Sequence, residues 1–384
     1  MKLVIYSVVL NQHQAPVADA LWDLTGHQFR FVELTQGGSN KGGTTDYSSR
    51  PYLLKDWESD QTHDEAMRLA CTAECCIFSG VQSLPFMKER LKLGLLSFDM
   101  GERWLKKGLA NLFSPAISRM YLAYWKGGWR NKPLYKLCMS GFAAEDHARI
   151  GMYKNKCYKW GYFTKSPHVE QCELATEKNG INIMWCARFV DMKHPELPIL
   201  MMNELRKSYE HLFLKEKIHL DMYGEGYMKQ EMEELAHNLG LQEYITFRGN
   251  VNNEIIHEEM RKHDIFLFTS DRNEGWGAVA NEAMSEGCLL IASDEIGSSP
   301  FLIKDGENGL LFKNKNLASL NERVLWAINN PVETEKMKME GSNTMRKVWS
   351  PENASLSLLQ LIQDLSTGRD TSTKEGPCSK ITQC

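Results

Sequence analysis

Residues 264–295, "DIFLFTSDRNEGWGAVANEAMSEGCLLIASDE", hold a strand, a turn, a helix and a second strand in succession. The runs "IFLF" and "CLLIAS" are continuously apolar, which suits strands covered on both faces, and "GAVANEAMSEG" between them has apolar positions at helical spacing. Strand, helix and strand of this kind make a parallel pair joined by a crossover, so the fold class is α/β. Glu274 sits at the mouth of the strand-to-helix turn, followed by two glycines, where phosphate sites are commonly built. Glu282 lies eight positions on, inside the helix. Glu286, one turn further, reads as an ordinary acid on a helix face.

The same rhythm extends upstream. From residue 181 run strand "INIMWCARF", helix "ELPILMMNELRKSYEH", strand "IHLDMYGEG", helix "MKQEMEELAHNLGL", strand "YITFRGN" and helix "NEIIHEEMRKH". The first half opens similarly, with strand "KLVIYSVV", a helix carrying Pro16 near its start, and strand "FRFVELT". "AMRLACTAECCIFSG" reads as a helix running into a strand, and "LKLGLLSFDM" as a further strand. Two Rossmann-like domains facing each other across a cleft are expected. The first spans 1–165 and the second 172–345, with the boundary in "YFTKSPHVEQ". A C-terminal helix is expected over 346–365, opening at Ser350 and Pro351, followed by a polar, disordered tail over 366–384. The run "GGSNKGGTTDY" at 37–47 reads as a mobile loop.

The chain has 384 residues, 42% of them hydrophobic and 24% charged, which fits two globular domains. A net charge of -4 makes nucleic acid an unexpected partner. The ten cysteines show no paired CxxC spacing, so a zinc site is not expected and a reducing cytosol fits best. "MKLVIYSVVLNQHQ" has no small-residue cleavage site and reads as a first strand rather than a signal peptide. No run approaches the roughly 18 apolar residues of a membrane span.

Three further features fall at carboxyl ends of strands in the second half, the edge where open parallel sheets bind ligands. Arg188 and Lys193 follow the first of these strands, Gly224 and Gly226 the second, and Gly249 and Asn250 the third. Singly, the charges read as solvated and the glycines as turn formers. Their convergence on one sheet edge with Glu274 favours a site.

The segments "ARFVDMK", "MYGEGYMKQEMEELAHNLGLQEYITFRGNV", "TSDRNEGWGAVANEAMSEG" and "IKDGENGLLF" together resemble the nucleotide-binding domain of retaining glycosyltransferases of family 4, bacterial surface-polysaccharide type, over about residues 182–312. The first domain resembles the family only in its strand–helix rhythm and in "SGFAAEDHARIGMYKNKCYKWGYF". The wording departs from the family near Ser299, where an acidic residue is usual. The resemblance implies the GT-B fold and transfer of a sugar from a nucleotide-sugar donor to a glycan or lipid-linked acceptor. It also implies that Glu274 faces hydroxyls of the transferred sugar and that Glu282 binds the ribose.

The physical chemistry agrees. Carboxylates accept hydrogen bonds from paired hydroxyls. N–H groups of Gly277, Ala278 and Val279, behind Gly275, are placed to hold the diphosphate. Arg188 and Lys193 would stabilise the leaving group. No cofactor or metal is expected, and no DxD pair stands out.

Three rivals remain: a nucleotide-sugar-binding protein without transfer activity, a nucleotide-sugar epimerase on the same fold, and an oxidoreductase. The last rests on "GWGAVA", which matches the dinucleotide fingerprint with Asp294 about 20 residues on. Against it, "DRNE" separates the strand from the first glycine.

One stretch stands apart from the overall charge. From Arg103 to Lys136 basic residues, among them Lys106, Lys107, Arg130 and Lys132, interleave with aromatic ones, among them Trp125 and Trp129, and no acid interrupts them. Such a mixture suits an anionic membrane surface. The alternative is core aromatics with solvated lysines. The expected location is cytoplasmic, peripheral at the inner face of the cytoplasmic membrane.

Overall fold

The computed structural model describes residues 1–36, 46–164 and 180–382. The expected mobile loop at 37–47 and the expected boundary at 162–171 lie almost entirely outside the described residues. The chain divides into two compact units, 1–165 with 348–384, and 166–347.

The first unit holds strands β1 (Leu3–Ser7), β2 (Phe29–Glu33), β3 (Leu53–Lys55), β4 (Cys75–Ser79), β5 (Ser97–Gly101), β6 (Leu134–Cys138) and β7 (Cys157–Lys159). They form one parallel sheet in the order β3-β2-β1-β4-β5-β6-β7. The central strands β1 and β4 are buried but for Ser79 at the end of β4, as continuous apolar runs demand. Arg90 is buried on its flank without a carboxylate. Its guanidinium instead donates to the carbonyls of Ala70, Ala73, Glu74 and Leu96 at 2.7–3.1 Å, so the buried donors are satisfied.

The second unit holds β8 (Asn182–Cys186), β9 (His219–Tyr223), β10 (Ile245–Gly249), β11 (Ile265–Phe268), β12 (Leu289–Ser293) and β13 (Leu310–Phe312). All pairings are parallel, in the order β10-β9-β8-β11-β12-β13. The helices Glu196–Ser208, Lys229–Asn238, Asn253–Lys262 and Val279–Ser285 stand where the sequence pattern expects them. Their apolar faces close a core around Trp185, Met202, Leu220 and Ile291.

The C-terminal helix Pro351–Ser366 belongs to the first unit. The Ser350 hydroxyl caps it by accepting from the N–H of Asn353 at 3.1 Å. The tail expected to be disordered is instead laid along β7. Cys378 N–H donates to the Lys159 carbonyl at 2.7 Å, Lys159 N–H to Ser379 at 2.9 Å and Ile381 N–H to Cys157 at 3.0 Å. The Tyr158 hydroxyl donates to Asp370 at 2.9 Å. The reason is that β7 is an edge strand whose backbone groups need partners, and a polar tail supplies them without burying much apolar surface.

Candidate functional site

In the second sheet β8 and β11 are neighbours, yet the chain leaves β8 towards β9 and β10 and leaves β11 towards β12 and β13 on the other side. Such a switch in direction opens a crevice at the carboxyl ends of the two strands. Lys193 comes from the loop after β8 and Glu274 from the loop after β11, and their side chains pair across that crevice. Each is about 85% covered, at 13% and 15% exposure. A charge so enclosed needs its counter-charge.

The two loops are also joined through their backbones. Asp271 N–H donates to the Met192 carbonyl at 2.9 Å. The Thr269 hydroxyl donates to the Lys193 carbonyl at 2.6 Å and accepts from the Trp185 indole at 2.9 Å. Ser270 donates to the Glu274 carboxylate at 3.2 Å. Asp271 shapes the turn itself. One of its oxygens accepts from the backbone and side-chain amides of Asn273 at 2.9 and 3.0 Å. The other lies 3.4 Å from Lys315 and 3.5 Å from His194. Burial opposes the charge on Asp271, but the Asn273 amides and Lys315 outweigh it and hold the carboxyl below the usual carboxylate range. Sequence reasoning passed over Asp271, because an acid in a polar turn carries no signal of its partners.

Gly277 has φ +81°, and a Cβ there would stand 2.2 Å from the Phe268 ring and 3.3 Å from the Glu274 side chain. The turn can close over the end of β11 only with glycine at this place. The helix then starts at Val279 and is short, ending at Ser285. Among the described residues the N–H groups of Gly277, Ala278 and Val279 have no acceptor.

Glu282, in the first turn of this helix, is half-buried, and its carboxylate has no hydrogen-bond partner among the described residues. Burial raises its carboxyl above the usual range, with Glu286 adding to the effect and His257 opposing it. The charges of Glu282 and Lys193 both act on the Cys186 thiol at the end of β8, which burial pushes up to about 12. Glu282 and Lys193 thus both lie near the carboxyl end of β8.

Arg188 is exposed in the loop after β8, with no side-chain partner among the described residues. The loops after β8, β9 and β10 lie backbone to backbone. A Cβ on Gly224 would stand 2.0 Å from the Ala187 carbonyl oxygen, and one on Gly226 2.2 Å from that of Phe189. Gly224 N–H donates to the Gly249 carbonyl at 2.8 Å. Asn250 is exposed beside Gly249, and Gly275 is buried under the turn. Near Ser299 the chain forms a closed turn in which its hydroxyl donates to the Ser293 carbonyl at 2.8 Å.

Two expectations need correction. Glu286 is not a surface acid. Its side chain is 2% exposed and accepts from His257 at 2.8 Å and Arg261 at 2.7 Å, joining the helix Asn253–Lys262 to the helix Val279–Ser285. It shares a helix face with Glu282 at one-turn spacing, the only signal that pointed inward.

The basic–aromatic stretch is not one patch either. Arg103 is buried against Asp146, with Nη2 at 3.0 Å, and Lys136 is buried against Asp99 at 3.0 Å. Lys106 pairs with Glu102 at 2.9 Å. Trp129 is core, and Trp125 is partly buried under Arg130 at 5.4 Å. Lys107 and Arg130 are exposed, and Lys132 is half-buried. Packing of the first unit buries Tyr124 and Trp129 and covers part of Trp104, Tyr121 and Trp125.

The dinucleotide reading also fails on geometry. Thr269–Glu274 separate Gly275 from the end of β11, whereas that fingerprint needs its first glycine at the strand end. Asp294 is occupied by accepting the N–H of Asn314 at 3.0 Å.

The first unit has its own switch point between β1 and β4. His13 and Gln14, in the loop after β1, line a cavity with Ile5, Val17, Met100 and Trp160. His13 Nδ1 and Gln14 Oε1 are buried there without a hydrogen-bond partner among the described residues. Burial lowers His13 to about 4, so its ring is neutral near pH 7.

Residues 172–344 match the family model of glycosyl transferases group 1. A Bacillus subtilis protein named as a glycosyltransferase, EpsD, is 34% identical over 134 residues, 34% of this chain and 34% of that protein. The N-acetylgalactosamine-N,N'-diacetylbacillosaminyl-diphospho-undecaprenol 4-alpha-N-acetylgalactosaminyltransferase of Campylobacter jejuni is 27% identical over 165 residues, 41% of this chain and 44% of that enzyme. The matches cover about 30–40% of the length of the first curated relatives. Anabaena HepE, solved in complex with UDP, superposes with TM-score 0.67 over 96% of this chain and 100% of its own, at 14% identity. Sucrose-phosphate synthase of Thermosynechococcus elongatus gives 0.64 over 95% and 99%, also at 14%. Identities this low show the fold alone, and the fold is GT-B.

Proposed function

We propose, from the match of residues 172–344 to the family model of glycosyl transferases group 1, that the chain transfers a sugar from a nucleotide-sugar donor to a glycan acceptor, with retention of configuration and without a metal, in bacterial surface-polysaccharide assembly. The observation that carries the reading is the Lys193–Glu274 pair across the β8–β11 switch point, beside the unpartnered N–H groups of Gly277, Ala278 and Val279. A diphosphate laid on those N–H groups gains Lys193 and the free Arg188 as counter-charges, which is what a departing nucleoside diphosphate requires. Drawing Lys193 towards phosphate releases Glu274 to accept hydrogen bonds from the sugar's hydroxyls. The unpartnered Glu282 carboxylate suits two ribose hydroxyls in the same way.

On the acceptor side the support is the cavity of the first unit. A hydroxyl both donates and accepts, and the neutral His13 ring and the Gln14 carbonyl offer it matching partners. The Campylobacter relative acts, by its name, on a diphospho-undecaprenol-linked glycan. A lipid-linked acceptor, met at the inner face of the cytoplasmic membrane, is the corresponding reading for this chain.

The test is incubation with a panel of nucleotide sugars in chelator, following nucleoside diphosphate release and the sugar's fate. Release with transfer supports the reading. Binding without release, or an altered sugar still on its nucleotide, would replace it with a binding protein or an epimerase.

A further inference from the structure

The surface that remains when the buried part of the basic–aromatic stretch is removed is more sharply defined than the sequence suggested. The 3-10 turn Gly108–Phe113 buries none of its residues. Leu109 is 60% exposed and Phe113 is 88% exposed. The helix Pro115–Lys126 that follows packs Met120 and Tyr124 inward. Outward it turns Pro115, Ala116, Arg119, Leu122 and Lys126. Leu122 is 47% exposed. Lys107 at the start of the turn and Arg130 beyond the helix are exposed as well. No acidic residue occurs between Arg103 and Ala144. The turn is fixed in place, since the Lys107 N–H donates to Asn111 Oδ1 at 2.6 Å.

A single exposed leucine is ordinary. A phenylalanine almost wholly in water, one turn from a second large apolar residue and flanked along the chain by cations and no acid, is not. We propose that this turn and helix form a membrane anchor, in which Phe113 and Leu109 enter the interface of an anionic phospholipid bilayer while Lys107, Arg119, Lys126 and Arg130 meet its headgroups. A bilayer is the occupant because it alone offers apolar depth under a negative surface; the cations then lie in the plane where surface potential is felt, within about 8 Å at physiological salt. The short apolar reach fits an interfacial anchor, and no helix among the described residues is long and apolar enough to cross a membrane. The tryptophans are not the anchor, because Trp129 is core and Trp125 lies under Arg130.

The proposal gives the membrane surface of the transfer reading its contact residues, and it is tested without donor or acceptor, so the two can fail separately. The full chain is sedimented with phosphatidylcholine vesicles and with vesicles of equal parts phosphatidylcholine and phosphatidylglycerol, over a salt series. Binding is expected only to the mixed vesicles and should weaken as salt rises. Phe113→Ser with Leu109→Ser should lower the partition coefficient at least about tenfold. Replacing Lys107, Arg119, Lys126 and Arg130 by glutamine should remove the preference for anionic lipid. These side chains are on the surface, and circular dichroism of each variant checks that the fold persists. Absence of binding to either vesicle overturns the anchor, as does equal binding to both. Binding that survives the double serine variant but falls with Trp125→Ser overturns the assignment of its residues.

Discussion

Glu274 and Lys193 neutralise each other in the structure, so each is a group held ready by the other rather than a free charge. On this account Lys193→Ala leaves Glu274 without its counter-charge and the diphosphate without a clamp. Turnover should fall about 100-fold or more, as when one preorganised stabilising donor is lost. Arg188→Ala, an exposed clamp with no structural partner among the described residues, should lower turnover likewise while leaving thermal stability unchanged. Steady-state rates with differential scanning calorimetry separate the two effects. Glu282 gives a different signature. Glu282→Gln should weaken nucleoside diphosphate binding about tenfold or more, the scale of a hydrogen bond to a charged acceptor. Its pKa is raised, chiefly by burial, so the acceptor is protonated at a higher pH than an ordinary glutamate. Affinity should therefore fall on acidification earlier than a normal carboxylate would give, and the glutamine variant should lack that fall. Calorimetric titration at several pH values reads both.

At the scale of elements, the helix Val279–Ser285 is too short to stand by propensity and is fixed by Glu286 against the neighbouring helix. Glu286→Ala should cost about 2 kcal/mol in urea unfolding, less than a fully buried pair because Arg261 and His257 keep some contact with water. The Glu286 partnership raises the pKa of His257. The folded state thus holds a proton the unfolded state releases. That contribution is fully present below the ordinary histidine pKa and is lost as pH rises through the raised value; in the Glu286 variant this pH dependence should vanish. Neither residue was legible beforehand, for a buried acid and a solvated one are the same letter until the partner helix is placed. The strand series of the second unit from β8 to β12 was legible, because β8, β11 and β12 are mostly apolar and the helices between the strands amphipathic. In the first unit β3, β6 and β7 escaped notice: "LLK" and "CYK" are too short for periodicity to register, and "LYKLC" lay at the end of the stretch read as basic and aromatic surface. The glycines of the site could be located by position, but their necessity shows only in the carbonyls of Ala187 and Phe189 that press on Gly224 and Gly226.

At the scale of the whole molecule, the chain returns at its end to the unit in which it began. The helix Pro351–Ser366 packs on the helix Ala15–Leu24, with the Ser355 hydroxyl reaching the Val17 carbonyl at 3.4 Å, and the residues beyond cover β7. Ending the chain at Thr367 should therefore bare an edge strand, and light scattering on warming should show aggregation at a lower temperature than for the full chain. Unchanged aggregation would mean that the tail protects nothing. Each sheet carries, at its own switch point, polar groups without a hydrogen-bond partner among the described residues: the N–H groups of Gly277, Ala278 and Val279 and the Glu282 carboxylate in one, and His13 Nδ1 and Gln14 Oε1 in the other. The claim that the first of these holds a nucleotide sugar for transfer is tested most directly by following nucleoside diphosphate release from a panel of nucleotide sugars in chelator, for the wild type and Lys193→Ala. The account predicts release from at least one donor by the wild type, with the sugar transferred, and near-complete loss in the variant. No release from any donor, or release that the variant retains in full, would contradict it.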